Sequence, residues 1–289
     1  MATGRDTDAQ PVAGSAVQLN SPAVDLSGKR ILLTGGAGGL GAPMAVALAR
    51  LGADLMLTAL EEEALKLAVR QCVGSGKFET VAADMRDPAA VDQIVSAAND
   101  RLGGVDVLIN NAGLGPGAIR PDFWNDKILF WEPNINYQHF TQVNFLAPAR
   151  LAAMLVPEMI AAGWGRIINV TTSLPTMFGR GCSPYGPTKA ALEALTGVQA
   201  ADLAGTGVCA NVLIPGGPTD TPMVPAEAAR DRKQLIDPTV MAPVICWLAS
   251  AHSDGVTGRR FLAAKWSAAL AAEVAAEHAS EPVGWARNS

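Results

Sequence analysis

The chain has 289 residues, 49% of them hydrophobic and 17% charged; this supplies a sizeable core and excludes a globally disordered chain. Its 29 Gly and 19 Pro follow no three-residue period, which excludes a collagen-like rod. A net charge of −5 argues against a nucleic-acid partner, and four widely spaced Cys without a C-x-x-C pair argue against a disulfide framework or a zinc site.

No stretch reaches the roughly 18–20 uninterrupted apolar residues of a membrane span, so no membrane association is expected. The opening residues lack the basic start and continuous apolar block of a signal peptide. They predict a mobile arm over 1–24 and, with the Cys usage, a cytoplasmic protein.

From Lys29 two patterns alternate. The run Arg30-Ile31-Leu32-Leu33-Thr34 predicts a strand, and it meets a glycine cluster. A helical pattern follows from Leu40 to Leu51. Strands are expected at Asp54 to Thr58 and Phe78 to Ala82, with a helix at Glu61 to Val73 between them. Asp87-Pro88 opens a helix to Leu102, with Asp87 as N-cap. Further strands fall at Val105 to Ile109, Arg166 to Val170, Val208 to Leu213 and Gly258 to Leu262, with helices near 138–162, 184–205 and 238–250. Strand and helix alternating at this spacing predict an α/β domain over 25–266, a doubly wound, mostly parallel sheet. The Ala- and Glu-rich tail 267–289 has the composition of one further helix.

Directly after the first strand stands Thr34-Gly35-Gly36-Ala37-Gly38-Gly39-Leu40-Gly41. Glycines let the backbone bend tightly and approach a pyrophosphate without Cβ clashes, and the following helix start offers free N–H groups and partial positive charge. Strand before and helix after, at the first βα turn, predict a dinucleotide site.

The glycines at 35, 39 and 41 read T-G-x-x-x-G-x-G, and with this spacing the chain resembles the short-chain dehydrogenase/reductase family over residues 28 to about 262. The resemblance implies a Rossmann fold and an NAD(P)-dependent oxidoreductase acting between a secondary alcohol and a ketone. Asp84-Met85 matches the family's adenine-side acidic position, and Asn110-Asn111-Ala112-Gly113 matches its N-N-A-G after the fourth strand. Bottom-up, those Asn side chains can tie strand ends together, and Gly113 leaves room beside a cofactor.

Tyr185-Gly186-Pro187-Thr188-Lys189 places Tyr and Lys one helical turn apart. A phenol near its usual pKa of about 10 is a poor base at neutrality, and a neighbouring ammonium is expected to lower it. The resemblance assigns Tyr185 the proton on the substrate oxygen and gives Lys189 the nicotinamide ribose as well. It gives Asn144 a place in a proton relay. The family's catalytic Ser stands thirteen positions before its Tyr. Here that position is Thr172, with Ser173 next to it, and both carry the needed hydroxyl. Pro215-Gly216 matches the family's P-G. The residue five after the Pro, usually a Thr on the nicotinamide amide, is Asp220, flanked by Thr219 and Thr221. The loop beyond runs through Met223-Val224-Pro225 to about Arg232 and is expected to form a lid.

The end of the second strand selects the cofactor: an acidic residue there favours NAD, a nearby Arg the NADP 2′-phosphate. Ala59 occupies that place, with no basic residue beside it, which slightly favours NAD over NADP. An inserted loop at about 115–135 carries Phe123, Trp124, Phe130 and Trp131. These aromatics suit an apolar or ring-bearing small-molecule substrate, and equally an anchored loop or a subunit contact. The last strand lacks the family's V-D-G-G ending. The resemblance implies a homotetramer or homodimer. It leaves open a 3-oxoacyl-thioester reductase as the specific activity. A non-catalytic dinucleotide-binding regulator is the alternative from another class, disfavoured because Tyr185 and Lys189 are both kept.

Overall fold

The computed structural model describes residues 24–225 and 232–284. Strands β1 (Arg30–Thr34), β2 (Asp54–Ala59) and β3 (Phe78–Ala82) alternate with helices α1 (Gly41–Arg50) and α2 (Glu62–Gln71). Helix α3 (Ala90–Leu102) leads to β4 (Val107–Asn110). Helix α4 (Tyr137–Thr141) continues through a π-helical segment at Gln142–Leu146 into α5 (Ala147–Ala161). Then follow β5 (Gly165–Val170), α6 (Leu174–Phe178), α7 (Tyr185–Asp202), β6 (Val208–Ile214), α8 (Met241–Leu248), β7 (Arg259–Leu262), α9 (Ala272–Ala279) and β8 (Ser280–Pro282). The sheet order is β3-β2-β1-β4-β5-β6-β7-β8, parallel except for the antiparallel β7–β8 edge.

Strand residues alternate between two apolar layers. Ile31, Leu33, Leu55, Leu57, Val107 and Ile109 pack with α1 and α8 on one face. Leu32, Met56, Leu108 and Ile167 pack with α3 and α5 on the other. Both faces are buried, which is why these strands read as continuous apolar runs. Truncating a fully buried Leu such as Leu32 to Ala would cost about 2–5 kcal/mol. The helical run Tyr137–Ala161 is long and apolar enough to cross a membrane by length and composition. Its Leu151, Leu155 and Met159 instead fill the second layer.

Two expectations change in detail. Helix α3 starts at Ala90, because the Asp87 side chain accepts from the Ala89 N–H at 2.9 Å and makes a turn of the residues before it. The tail carries the expected helix as α9 and also adds β8 to the sheet edge, so it packs with the rest of the α/β fold. Its Ala275 and Ala279 are fully buried. The arm predicted at 1–24 lies, except for the buried Val24, outside the described residues, as does 226–231 of the expected lid.

Candidate active site

The C-terminal strand ends open onto one cleft of about 900 Å³. Gly35, Gly38, Gly39 and Leu40 line its end at the glycine turn. Gly35 and Gly39 have φ of +66° and +52°, a conformation glycine adopts at little cost. Gly36 and Gly41, expected to touch the cofactor, do not line the cleft; they shape the turn from behind. A Cβ on Gly41 would stand 2.0 Å from the Gly35 carbonyl oxygen, and one on Gly36 3.0 Å from the Leu57 side chain. Asn111 Nδ2 donates to the Thr34 and Gly35 carbonyls at 3.0 Å each, and Thr34 Oγ1 accepts from the Asn111 and Ala112 N–H groups. The N-N-A-G segment thus stitches β4 to the glycine turn.

Ala59, Asp84, Met85, Asn111, Ala112 and Gly113 all line the cleft, as the resemblance implies for a cofactor wall. Asp84 is held by Arg86 in a bidentate pair at 2.6–2.9 Å, which keeps its carboxyl below the usual range. A Cβ on Gly113 would come within 3.3 Å of both Lys189 Nζ and Asn144 Oδ1. Bare backbone there keeps the space beside Lys189 open.

Tyr185 opens helix α7, and Lys189 follows one turn later on the same face. Both side chains are buried and line the cleft. Lys189 Nζ donates to the Val170 carbonyl at the end of β5, 2.9 Å away. Burial pulls the Lys189 ammonium down to about 8, since the apolar surroundings disfavour its charge. The same effect pushes the Tyr185 phenol up to about 12, opposed by a hydrogen bond from the Thr172 hydroxyl. The lowering expected from Lys189 does not appear: burial raises the phenol, and only the Thr172 hydroxyl opposes it.

The two candidate hydroxyls part company here. Thr172 bonds the Tyr185 phenol. Ser173 lines the cleft too, but its Oγ caps helix α6, accepting from the Thr176 N–H and sharing a 3.0 Å contact with Thr176 Oγ1. Asn144 is fully buried in the π-helical segment and does not line the cleft. Its side chain clamps both backbone groups of Leu114, at 2.7 and 3.0 Å, and donates to Thr188 Oγ1, which donates to the Tyr185 carbonyl. It joins the N-N-A-G wall to the first turn of α7.

Pro215, Gly216, Thr219 and Thr221 line the opposite wall. Asp220 turns away and pairs with Arg232, so the register expected from Pro215 points out of the cleft. Met223 leans across to the inserted loop, where a Cβ on Gly115 would stand 2.8 Å from its Cγ. Of the loop aromatics, Phe123 and Trp124 line the cleft, whereas Phe130 and Trp131 pair edge-to-face and are 67% exposed. The sequence reading missed Cys182, Lys127 and Arg180 in the cleft wall, and Arg260 and Glu193 behind Thr172. Among the described residues no three His, Cys, Asp or Glu side chains come together as metal ligands.

The cleft fits a dinucleotide. Its glycine floor, its strand-end position and the buried Tyr–Lys pair define an oxidoreductase of the nicotinamide-dependent class. Comparison with known proteins agrees. The short chain dehydrogenase family model matches residues 29–232. The oxidoreductase UcpA of Escherichia coli is 31% identical over 81% of this chain and 92% of its own length. A 1-deoxy-11-beta-hydroxypentalenate dehydrogenase of Streptomyces exfoliatus is 33% identical over 69% of this chain and 70% of its own. The crystal structure of a metagenomic short-chain oxidoreductase in complex with NADP superposes with a TM-score of 0.66, at 28% identity, over 80% of this chain and 95% of that one. The chain belongs to the short-chain dehydrogenase/reductase family.

Proposed function

We propose that the protein interconverts a secondary alcohol and a ketone, with Tyr185 moving the proton at the substrate oxygen. The observation that carries this reading is the Thr172–Tyr185–Lys189 set lining the cleft at the end of β5, with Tyr185 and Lys189 buried. NAD(P) supplies or accepts the hydride when bound. The N–H groups around Gly35, Gly38, Gly39 and Leu40 would hold its phosphates, the Asp84–Met85 segment its adenine, and Lys189 its ribose hydroxyls. Tyr185 gives its proton to the carbonyl oxygen in reduction and takes it from the alcohol in oxidation. The Thr172 hydroxyl shares that oxygen and orients it. Asn144 holds Leu114 and Thr188, and so fixes the first turn of α7 under the phenol.

The cofactor is read as NAD. The second strand ends in Ala59, and the cation of the adenosine end, Arg86, is engaged by Asp84. The substrate side, floored by Phe123, Trp124 and Met223, suits an apolar or ring-bearing skeleton. The protein is read as a cytoplasmic homotetramer or homodimer. A panel of alcohols and ketones, followed by the absorbance of the reduced cofactor with NAD and NADP in parallel, tests the reading. Turnover of cyclic secondary alcohols, neutral or carrying a carboxylate, with NAD supports it; silence across a panel that includes both kinds, with both cofactors, contradicts it.

A further inference from the structure

Two cations stand in the cleft wall away from the dinucleotide floor, Lys127 from the inserted loop and Arg180 from the segment after α6. Neither has a carboxylate within salt-bridge distance among the described residues. The acidic groups nearby are taken: Asp126, next to Lys127 in sequence, pairs with Arg120 at 3.1 Å, and Glu132 pairs with the same guanidinium at 2.9 Å.

Lys127 is also positioned. Its stem runs over Gly181, where a Cβ would stand 2.8 Å from Lys127 Cβ and 3.0 Å from its Cδ. Its ammonium sits 5.0 Å from the Trp124 ring centroid. A parallel bridge between Ile128 and Cys182 ties the two segments together and sets Lys127 beside Gly181, the residue after Arg180. The pair lies toward the reacting end. The carbonyl of Cys182, paired with Ile128 across that bridge, accepts from the Gly186 N–H at 2.6 Å in the first turn of α7, next to Tyr185. Both cations are exposed at the cleft wall, where Phe123, Trp124 and Pro175 also line it, so their charges are open to an incoming anion.

We propose that Lys127 and Arg180 bind a carboxylate carried by the substrate, so that the protein acts on a hydroxy or oxo acid rather than on a neutral alcohol or ketone. This rests on the dehydrogenase reading for the reacting group, but its test reads binding and needs no turnover. Benzoate and its neutral isostere benzamide are titrated calorimetrically into the full chain saturated with NAD. Benzoate is expected to bind at least about tenfold more tightly, as a charge-assisted contact gives. Lys127→Met and Arg180→Gln are each expected to weaken benzoate about tenfold while leaving benzamide and NAD affinities unchanged. Equal affinity for the two probes, no benzoate binding, or benzoate affinity unmoved in both variants would overturn the proposal. Pantetheine 4′-phosphate binding more tightly than benzoate, and lost in the same variants, would also overturn it in favour of a carrier phosphate. Failure of the dehydrogenase reading shows elsewhere, as a silent turnover panel with benzoate discrimination intact.

Discussion

Arg260, on the penultimate strand of the sheet, donates from Nη2 to the Thr172 carbonyl at 2.9 Å, and its Nη1 pairs with the Glu193 carboxylate at 3.1 Å. Both ionic side chains are almost wholly buried, and Thr171 Oγ1 donates to the second Glu193 oxygen. The network fastens the end of β5 to α7 and β7, directly behind the hydroxyl that meets Tyr185. Removing one member leaves the other charge buried. Arg260→Met is therefore expected to destabilise the fold by about 3–5 kcal/mol in urea denaturation, with Arg260→Met plus Glu193→Gln recovering much of the loss. Burial already raises the Glu193 carboxyl, and without Arg260 it rises further. The folded single variant then holds a proton that the unfolded chain releases, so its deficit is smaller at pH 5 than at pH 8. A single variant within 1 kcal/mol of wild type at pH 8 would contradict this role.

Thr172→Val removes the hydroxyl bonded to Tyr185, whereas Ser173→Ala removes a helix cap. The first is expected to cut kcat by about tenfold or more, with cofactor affinity kept. The second should cost roughly 1 kcal/mol of stability with kcat nearly unchanged. The reverse pattern would transfer the catalytic hydroxyl to Ser173.

Much of this site is legible in the sequence because its motifs are local. The glycine turn, N-N-A-G and Y-x-x-x-K each lie within one turn or helix start, where spacing dictates geometry. The same spacing does not tell a glycine that faces a ligand from one that faces backbone, so Gly36 and Gly41 read like Gly35 and Gly39. Glu193 and Arg260 sit on different elements and share no periodic pattern, and only the sheet order joins them. The segments that carry Lys127 and Arg180 are joined by a single bridge, between Ile128 and Cys182, outside regular structure. Strand β8 is only Ser-Glu-Pro, with no β-forming composition; the free edge of β7 makes it a strand.

Lys189 gives a pH signature in the cofactor-free protein. Its folded value of about 8 lies below the usual 10.5, so between these values the unfolded chain binds more protons than the folded one. Stability contributed by this residue therefore rises with pH in that window, and the charge penalty is fullest below pH 8. The stability of wild type minus that of Lys189→Met, from urea curves, is expected to climb from pH 7.5 to 9.5. A flat difference would mean that the buried ammonium keeps its ordinary affinity for the proton.

At the second strand's end, Ala59→Asp is expected to sharpen the preference for NAD, chiefly through weaker NADP binding. The new carboxylate would accept from the ribose diol and repel a 2′-phosphate. Comparing kcat/KM for both cofactors in wild type and variant checks this. A wild type strongly selective for NADP would show instead that Arg86 leaves Asp84 and reaches the phosphate.

The central claim, that Tyr185 transfers the proton, is tested most directly by kcat for Tyr185→Phe alongside the Kd for NAD. Phenylalanine keeps the buried ring and removes only the oxygen bonded by Thr172. The account predicts an unchanged Kd and a kcat lower by about 10²–10⁴-fold. A variant that keeps more than half of the wild-type kcat would contradict it.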